Sequence, residues 1–118
     1  MTREEAIGVL LDNDIFWETD IDEKSDASEF YIKNLMEGLD MFDIDRYAWL
    51  NTLFGYDIGE ENAYQIDHIL YTEMVPEVEV LDLTYMDKGL LKNVVEKLKL
   101  NLTFDKWIDH DVSVYSYF

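Results

Sequence analysis

The sequence predicts a mainly α-helical domain of about five helices, and three observations predict it. Apolar residues recur at three- and four-residue spacing in five separate stretches. Helix-start signals precede several of these stretches. Glycine and proline are scarce, five and one in 118 residues, which leaves room only for short connections. A small antiparallel ribbon from residues 78–85 and 112–118 is the one β feature the pattern allows, and it would make the class α+β. The chain, 1–118, reads as a single acidic globular domain, because 48% apolar residues suffice for one core and no linker or internal repeat is visible.

Taken in order, Thr2 and Glu5 have capping-box spacing and open a short helix whose inner face is Ala6, Ile7, Leu10 and Leu11. It ends in a turn at Asp12, Asn13 and Asp14. Residues 15–25 carry no helical period and are expected to be irregular or extended, with Phe16 and Trp17 anchoring them to the core. Asp26 with Glu29 marks the next start. There Ile32, Leu35, Met36 and Leu39 point inward, while Glu29, Lys33, Glu37 and Asp40 form the outer stripe.

Asp43 or Asp45 is expected to cap a third helix that carries Tyr47, Leu50, Leu53 and Phe54 and ends at Gly55. A fourth should run from about Glu60 to Met74, with Ala63, Ile66, Leu70 and Met74 inside, and stop before Pro76. Residues 78–85 alternate, with a slip of phase at Val80 and Leu81 that reads as a bulge or a break. Asp87 caps the clearest helix, with Leu91, Val94, Val95 and Leu98 inside and Lys88, Lys92, Glu96 and Lys99 outside. VSVYSYF, at the end, supplies the second strand of the ribbon.

Charge is the property that most needs an explanation. The chain carries 27 acids against 9 bases, a net charge of −18. It is unevenly placed: residues 1–87 have a net charge of −19 and residues 88–118 of +1. Such a field repels nucleic acid and anionic membranes, so direct nucleic-acid binding and membrane binding are not expected, and the natural partners are basic. The apolar run Ala6 to Leu11 is flanked by acids and is too short for a signal peptide or a membrane span, which points to a cytoplasmic protein. If the chain is phage-encoded, that cytoplasm is a bacterial host's.

Most chemistry is set aside by elimination. The absence of cysteine removes disulfides, thiolate zinc sites and cysteine nucleophiles together. Asp12, Asp14 and Glu23 fall at positions 1, 3 and 12 of an EF-hand loop, but Phe16 and Trp17 occupy the positions that need an oxygen ligand and a glycine. Asp109-His110-Asp111 and the pair Asp67-His68 place their groups side by side in sequence, where adjacent residues rarely converge on one ion. No nucleophile motif, phosphate loop or basic patch with interleaved aromatics occurs, so the expectation is no enzyme, no catalytic residue, no metal and no cofactor.

What remains is the charge itself. A chain of this length folds to a breadth of roughly 35 Å, and duplex DNA of that length carries on the order of 20 charges. The net charge of the chain is of that size. Acids three or four apart on a helix stand about 5–6 Å from one another, near the spacing of successive phosphates. Solubility accounts for many surface acids, yet self-repulsion on this scale destabilises a fold.

In length, charge and helical, cysteine-free character, the chain resembles the small acidic phage proteins that inhibit restriction or CRISPR nucleases as DNA mimics. It is similar in the same respects to immunity proteins that neutralise nuclease toxins. Both resemblances lie in composition alone, and no site residue is carried over from either group.

The expected function is therefore that of an acidic inhibitor, monomeric or homodimeric, that occupies the basic nucleic-acid-binding groove of a partner such as a nuclease complex, in anti-CRISPR or anti-restriction fashion. The expected contact residues are Asp20, Asp22, Glu23, Asp26, Glu29, Glu37, Asp40, Asp43 and Asp45, with Glu60, Glu61, Asp67 and Glu73 as a second patch and Tyr31 or Tyr64 as exposed aromatic anchors. The alternatives are an immunity protein against a basic nuclease toxin, and an acidic interaction subunit that binds through VSVYSYF without mimicry.

Overall fold

The computed structural model describes residues 1–70, 72 and 88–107. Six helices make up most of the described residues: α1 (Arg3–Asp12), α2 (Glu18–Asp22), α3 (Asp26–Met36), α4 (Met41–Phe54), α5 (Glu60–Ile69) and α6 (Lys88–Leu98). No strand occurs among the described residues. The expected ribbon of residues 78–85 and 112–118, the cap Asp87, the inward Met74, the acid Glu73 and the Asp109-His110-Asp111 run all lie outside them. The chain divides into two compact units, one of residues 1–44 and one from Asp45 onward.

In the first unit, α1 begins with the expected capping box: the Glu5 amide donates to Thr2 Oγ1 at 3.1 Å, and the Thr2 amide donates to Glu5 Oε1 at 2.9 Å. The helix buries Ala6 and Leu10 and packs on α3. The segment expected to be irregular instead forms α2. Five residues are too few to show a helical period, and the signal that was present is local: Asp20 Oδ2 reaches back to the Trp17 amide at 3.0 Å and holds the first turn. Trp17 is correspondingly not a core anchor but 80% exposed, whereas Phe16 does turn inward and meets the buried Tyr31 edge-on at 5.3 Å.

α3 starts at Asp26, as the sequence suggested. Ser25 is its cap, accepting from the Ser28 amide, and the Ser28 hydroxyl donates to the Asp20 carbonyl oxygen at 3.2 Å, which ties α2 to the start of α3. The buried face is Ser28, Tyr31, Ile32, Asn34 and Leu35, rotated from the one expected, so that Met36 is 45% exposed and Tyr31 fully buried. Tyr31 is thus a core residue and no surface anchor.

α1, α2, α3 and α6 close in the same way. The two amides beyond each helix bond back to its last carbonyls, with a left-handed residue in between: Asp14, Lys24, Gly38 and Lys99. Only Gly38 takes that conformation without a Cβ penalty.

α4 is capped by neither Asp43 nor Asp45. Asp40 Oδ1 accepts from the Asp43 amide at 2.8 Å, so the cap lies three residues before Asp43. From Arg46 to Phe54 every residue of α4 is buried, including Arg46, Asn51 and Thr52, and a helix without an exposed face shows no amphipathic period in sequence.

Several polar groups of α4 are met within the second unit, while the Trp49 indole N–H is buried without a hydrogen-bond partner. Thr52 Oγ1 donates to the Ala48 carbonyl at 2.9 Å, and Asn51 Oδ1 accepts from the Ile58 amide at 2.9 Å. Tyr47 donates its hydroxyl to Asp57 Oδ1 at 2.5 Å, and the same oxygen accepts from the Gly59 amide at 2.9 Å. These bonds fix the loop between α4 and α5. At the other side of the helix end, Phe54 meets Phe104 at 5.0 Å and Trp107 at 5.7 Å, and the Thr103 amide donates to Tyr56 Oη at 3.0 Å.

α5 buries Ala63, Ile66 and Leu70 as expected, and α6, which packs on it, buries Leu91, Val94 and Val95. Lys92, Glu96 and Lys99 lie outside, as the pattern implied. None of the helices among the described residues is long and apolar enough to cross a membrane.

Candidate functional site

The acids singled out in the sequence divide into three groups once the helix ends are known. The first group sits where a fold uses negative charge. Asp20 holds the first turn of α2, Asp26 and Glu29 lie in the first turn of α3, Asp40 caps α4 with Asp43 in its first turn, and Glu60 and Glu61 begin α5. The positive end of each helix dipole favours them there.

The second group is held by bases. Glu29 takes a two-pronged pair from Arg3, at 2.6 and 2.9 Å, which ties α1 to α3 and lowers the Glu29 carboxyl below the usual carboxylate range. Asp67 pairs at 2.7 Å with Arg46, whose side chain is only 3% exposed and lies over the Trp49 ring at 4.2 Å. Asp67 is thereby committed to the interior of the second unit. Asp45 is half-buried on α4.

The third group has no such explanation. Asp22 ends α2 and Glu23 caps its C-terminus, Glu37 caps the C-terminus of α3, and Asp12 ends α1 with Asp14 just beyond. All five are exposed. Each stands at the negative end of a helix dipole, where an added negative charge costs about 0.3–1 kcal/mol. Neither α1 nor α2 has a base in its last turn to offset it, whereas α3 has Lys33 there, four residues before Glu37. No ion pair among the described residues neutralises Asp22, Glu23 or Glu37.

Beside this group lies a cleft that the sequence did not announce. Leu11, Asp14, Phe16, Trp17, Glu18 and Thr19 line a shallow, open cleft of about 480 Å³ between the end of α1 and the start of α2. A second hollow of about 190 Å³ shares Leu11 and Glu18 and adds Ile7, Ile21 and Asp22. No base lines either one. The sequence signal for the cleft was the Trp17 to Asp20 spacing, which starts a helix and leaves the indole outside it.

On the second unit, Tyr64 is exposed as expected and stacks on His68 at 6.2 Å, one helical turn from Glu60 and Glu61. Among the described residues no three histidine or carboxylate side chains gather as a bound metal ion requires. Comparison with family models, with curated proteins and with solved structures finds no match to this chain.

Proposed function

We propose that the protein is an acidic inhibitor that binds the basic nucleic-acid-binding groove of another protein, with carboxylates standing in for phosphates. The observation that supports this reading most is the set of exposed acids at helix C-termini: Asp12, Asp22, Glu23 and Glu37, with Asp14 following α1. Charge that serves a helix belongs at its N-terminus, and the fold gains nothing from acids at the opposite end. Charge retained where it opposes the helix dipole points to a use outside the fold.

Such an array steers a basic partner from a distance and needs no chemistry of its own. The acids at helix N-termini add to the same field while serving their helices. A nuclease complex fits the partner's description, because its substrate groove is lined with bases that expect a phosphate every few ångströms.

The test neutralises the C-terminal group and reads two properties at once. The triple variant Asp22→Asn, Glu23→Gln, Glu37→Gln should be slightly more stable than the parent, by about 1 kcal/mol in total at low salt. It should also associate several-fold more slowly with the basic protein that the tagged parent captures from a bacterial lysate, and with a shallower salt dependence. Glu96→Gln, on α6, should associate as the parent does. An unchanged association rate and salt slope for the triple variant would remove these acids from the contact surface.

A further inference from the structure

Trp17 is the most exposed large apolar side chain among the described residues, at 80%, and it is not on a loose segment. Its amide is held by Asp20, and its carbonyl oxygen accepts from the Asp20 and Ile21 amides at 3.0 and 3.4 Å, so the backbone that carries the indole is the first turn of α2. Exposing an indole forgoes the favourable burial of a large apolar surface. Here Trp17 lines a cleft of about 480 Å³ together with the apolar Leu11 and Phe16, the polar Thr19 and the charged Asp14 and Glu18. The adjoining hollow continues past Glu18 to Asp22.

We infer that this cleft receives an arginine side chain from the basic surface of a protein partner, its guanidinium lying against the Trp17 indole and pairing with Glu18 or Asp14. The inference rests on the inhibitor reading above and names the anchor within it. Charge complementarity selects the occupant: carboxylates and an aromatic face line the cleft, and no base does. Tryptophan is the strongest of the aromatic faces for a cation. Arginine suits it better than lysine, because a planar guanidinium stacks on the ring and meets a carboxylate with two parallel N–H donors, whereas an ammonium is a compact and more strongly hydrated charge.

The cleft also complements the acids at the helix ends. Those give long-range attraction, which is screened by salt; a stacked and partly desolvated guanidinium adds a short-range contact that salt weakens less.

The experiment follows the three indole N–H resonances of the full chain by two-dimensional NMR, with that of Trp17 assigned from the Trp17→Leu variant. The probes are a nine-residue arginine peptide and a nine-residue lysine peptide at equal ionic strength. The expected result is that both peptides bind, that the arginine peptide binds more tightly, and that it shifts the Trp17 resonance well beyond those of Trp49 and Trp107. Trp17→Leu leaves the net charge unchanged and should weaken arginine-peptide binding roughly fivefold or more while abolishing the preference over lysine. Glu18→Gln, which keeps the ring, should weaken both peptides and retain the arginine preference.

If both peptides bind the parent and Trp17→Leu alike, the cleft inference fails and the acidic-surface reading stands. If neither peptide binds the parent, both fail. Because Trp17 is so exposed, an otherwise unchanged spectrum of Trp17→Leu shows that any loss comes from the ring and not from the fold.

Discussion

At the scale of single residues, the clearest device is Tyr47. Burial, and then its hydrogen bond to Asp57, push its phenol well above the ordinary tyrosine range. A raised pKa in the folded state means that the stabilisation is complete below about pH 10, the unfolded value, and is lost as pH rises above it. Tyr47→Phe should cost about 1 kcal/mol at neutral pH, from the lost hydrogen bond. It should also flatten the alkaline decline: between roughly pH 10 and 12 the thermal midpoint of the parent should fall faster than that of the variant. Two parallel slopes would show that Tyr47 ionises in the folded protein as freely as in the unfolded one. Neither Asp57 nor Arg46 was legible in sequence as a structural group, because nothing in the spacing of Tyr47 to Asp57 or of Arg46 to Asp67 marks a contact across a loop. Asp67 was accordingly read as surface charge, and the buried guanidinium is what claims it.

Among the elements, those with one polar face were legible and those without were not. α5 and α6 bury most of the expected inward residues, with Leu98 only half-buried, and Gly55 closes α4 as expected. α2 was missed because it is a single short helix held by one side-chain bond, and the full burial of residues 46–54 of α4 was missed because a stretch buried all round has no period to read. The ends of the elements give a paired prediction. Gly55 has φ of +81°, and a Cβ there would collide with the backbone carbonyl oxygen of Lys106 and stand 2.7 Å from its Cβ. Gly55→Ala should therefore destabilise by more than the 1–2 kcal/mol of the backbone term, about 3 kcal/mol, by displacing the segment that carries Phe104 and Trp107 from Phe54. Lys24 has φ of +53° after α2 and is exposed, so Lys24→Gly should stabilise by about 1 kcal/mol. Chemical denaturation of the two variants reads both signs. A Gly55→Ala variant as stable as the parent would mean that residues 101–107 do not press on the end of α4.

For the whole molecule, the excess of acid and its concentration before residue 88 are plain in the sequence, and the division of labour among the acids is not. Asp22 and Asp26 look alike in the string DIDEKSD, yet one ends a helix and the other begins one, and the helix dipole makes the first a burden and the second a support. Only the positions of the helix ends separate acids that the fold uses from acids it tolerates. The same holds for Trp17, whose neighbours in sequence suggested a core anchor and whose place at the first turn of α2 puts it in solvent. On the proposed inhibitor reading, a surface that keeps costly charges beside an exposed indole would compete with nucleic acid for a basic groove. The direct measurement is equilibrium competition: the basic protein captured by this chain, a fluorescently labelled DNA duplex, and increasing amounts of unlabelled chain, followed by fluorescence anisotropy at fixed salt. Mutually exclusive binding, with the duplex fully displaced at saturating chain and the midpoint rising in proportion to duplex concentration, is the predicted result. A ternary complex, in which the duplex stays bound while the chain saturates its partner, would contradict the account.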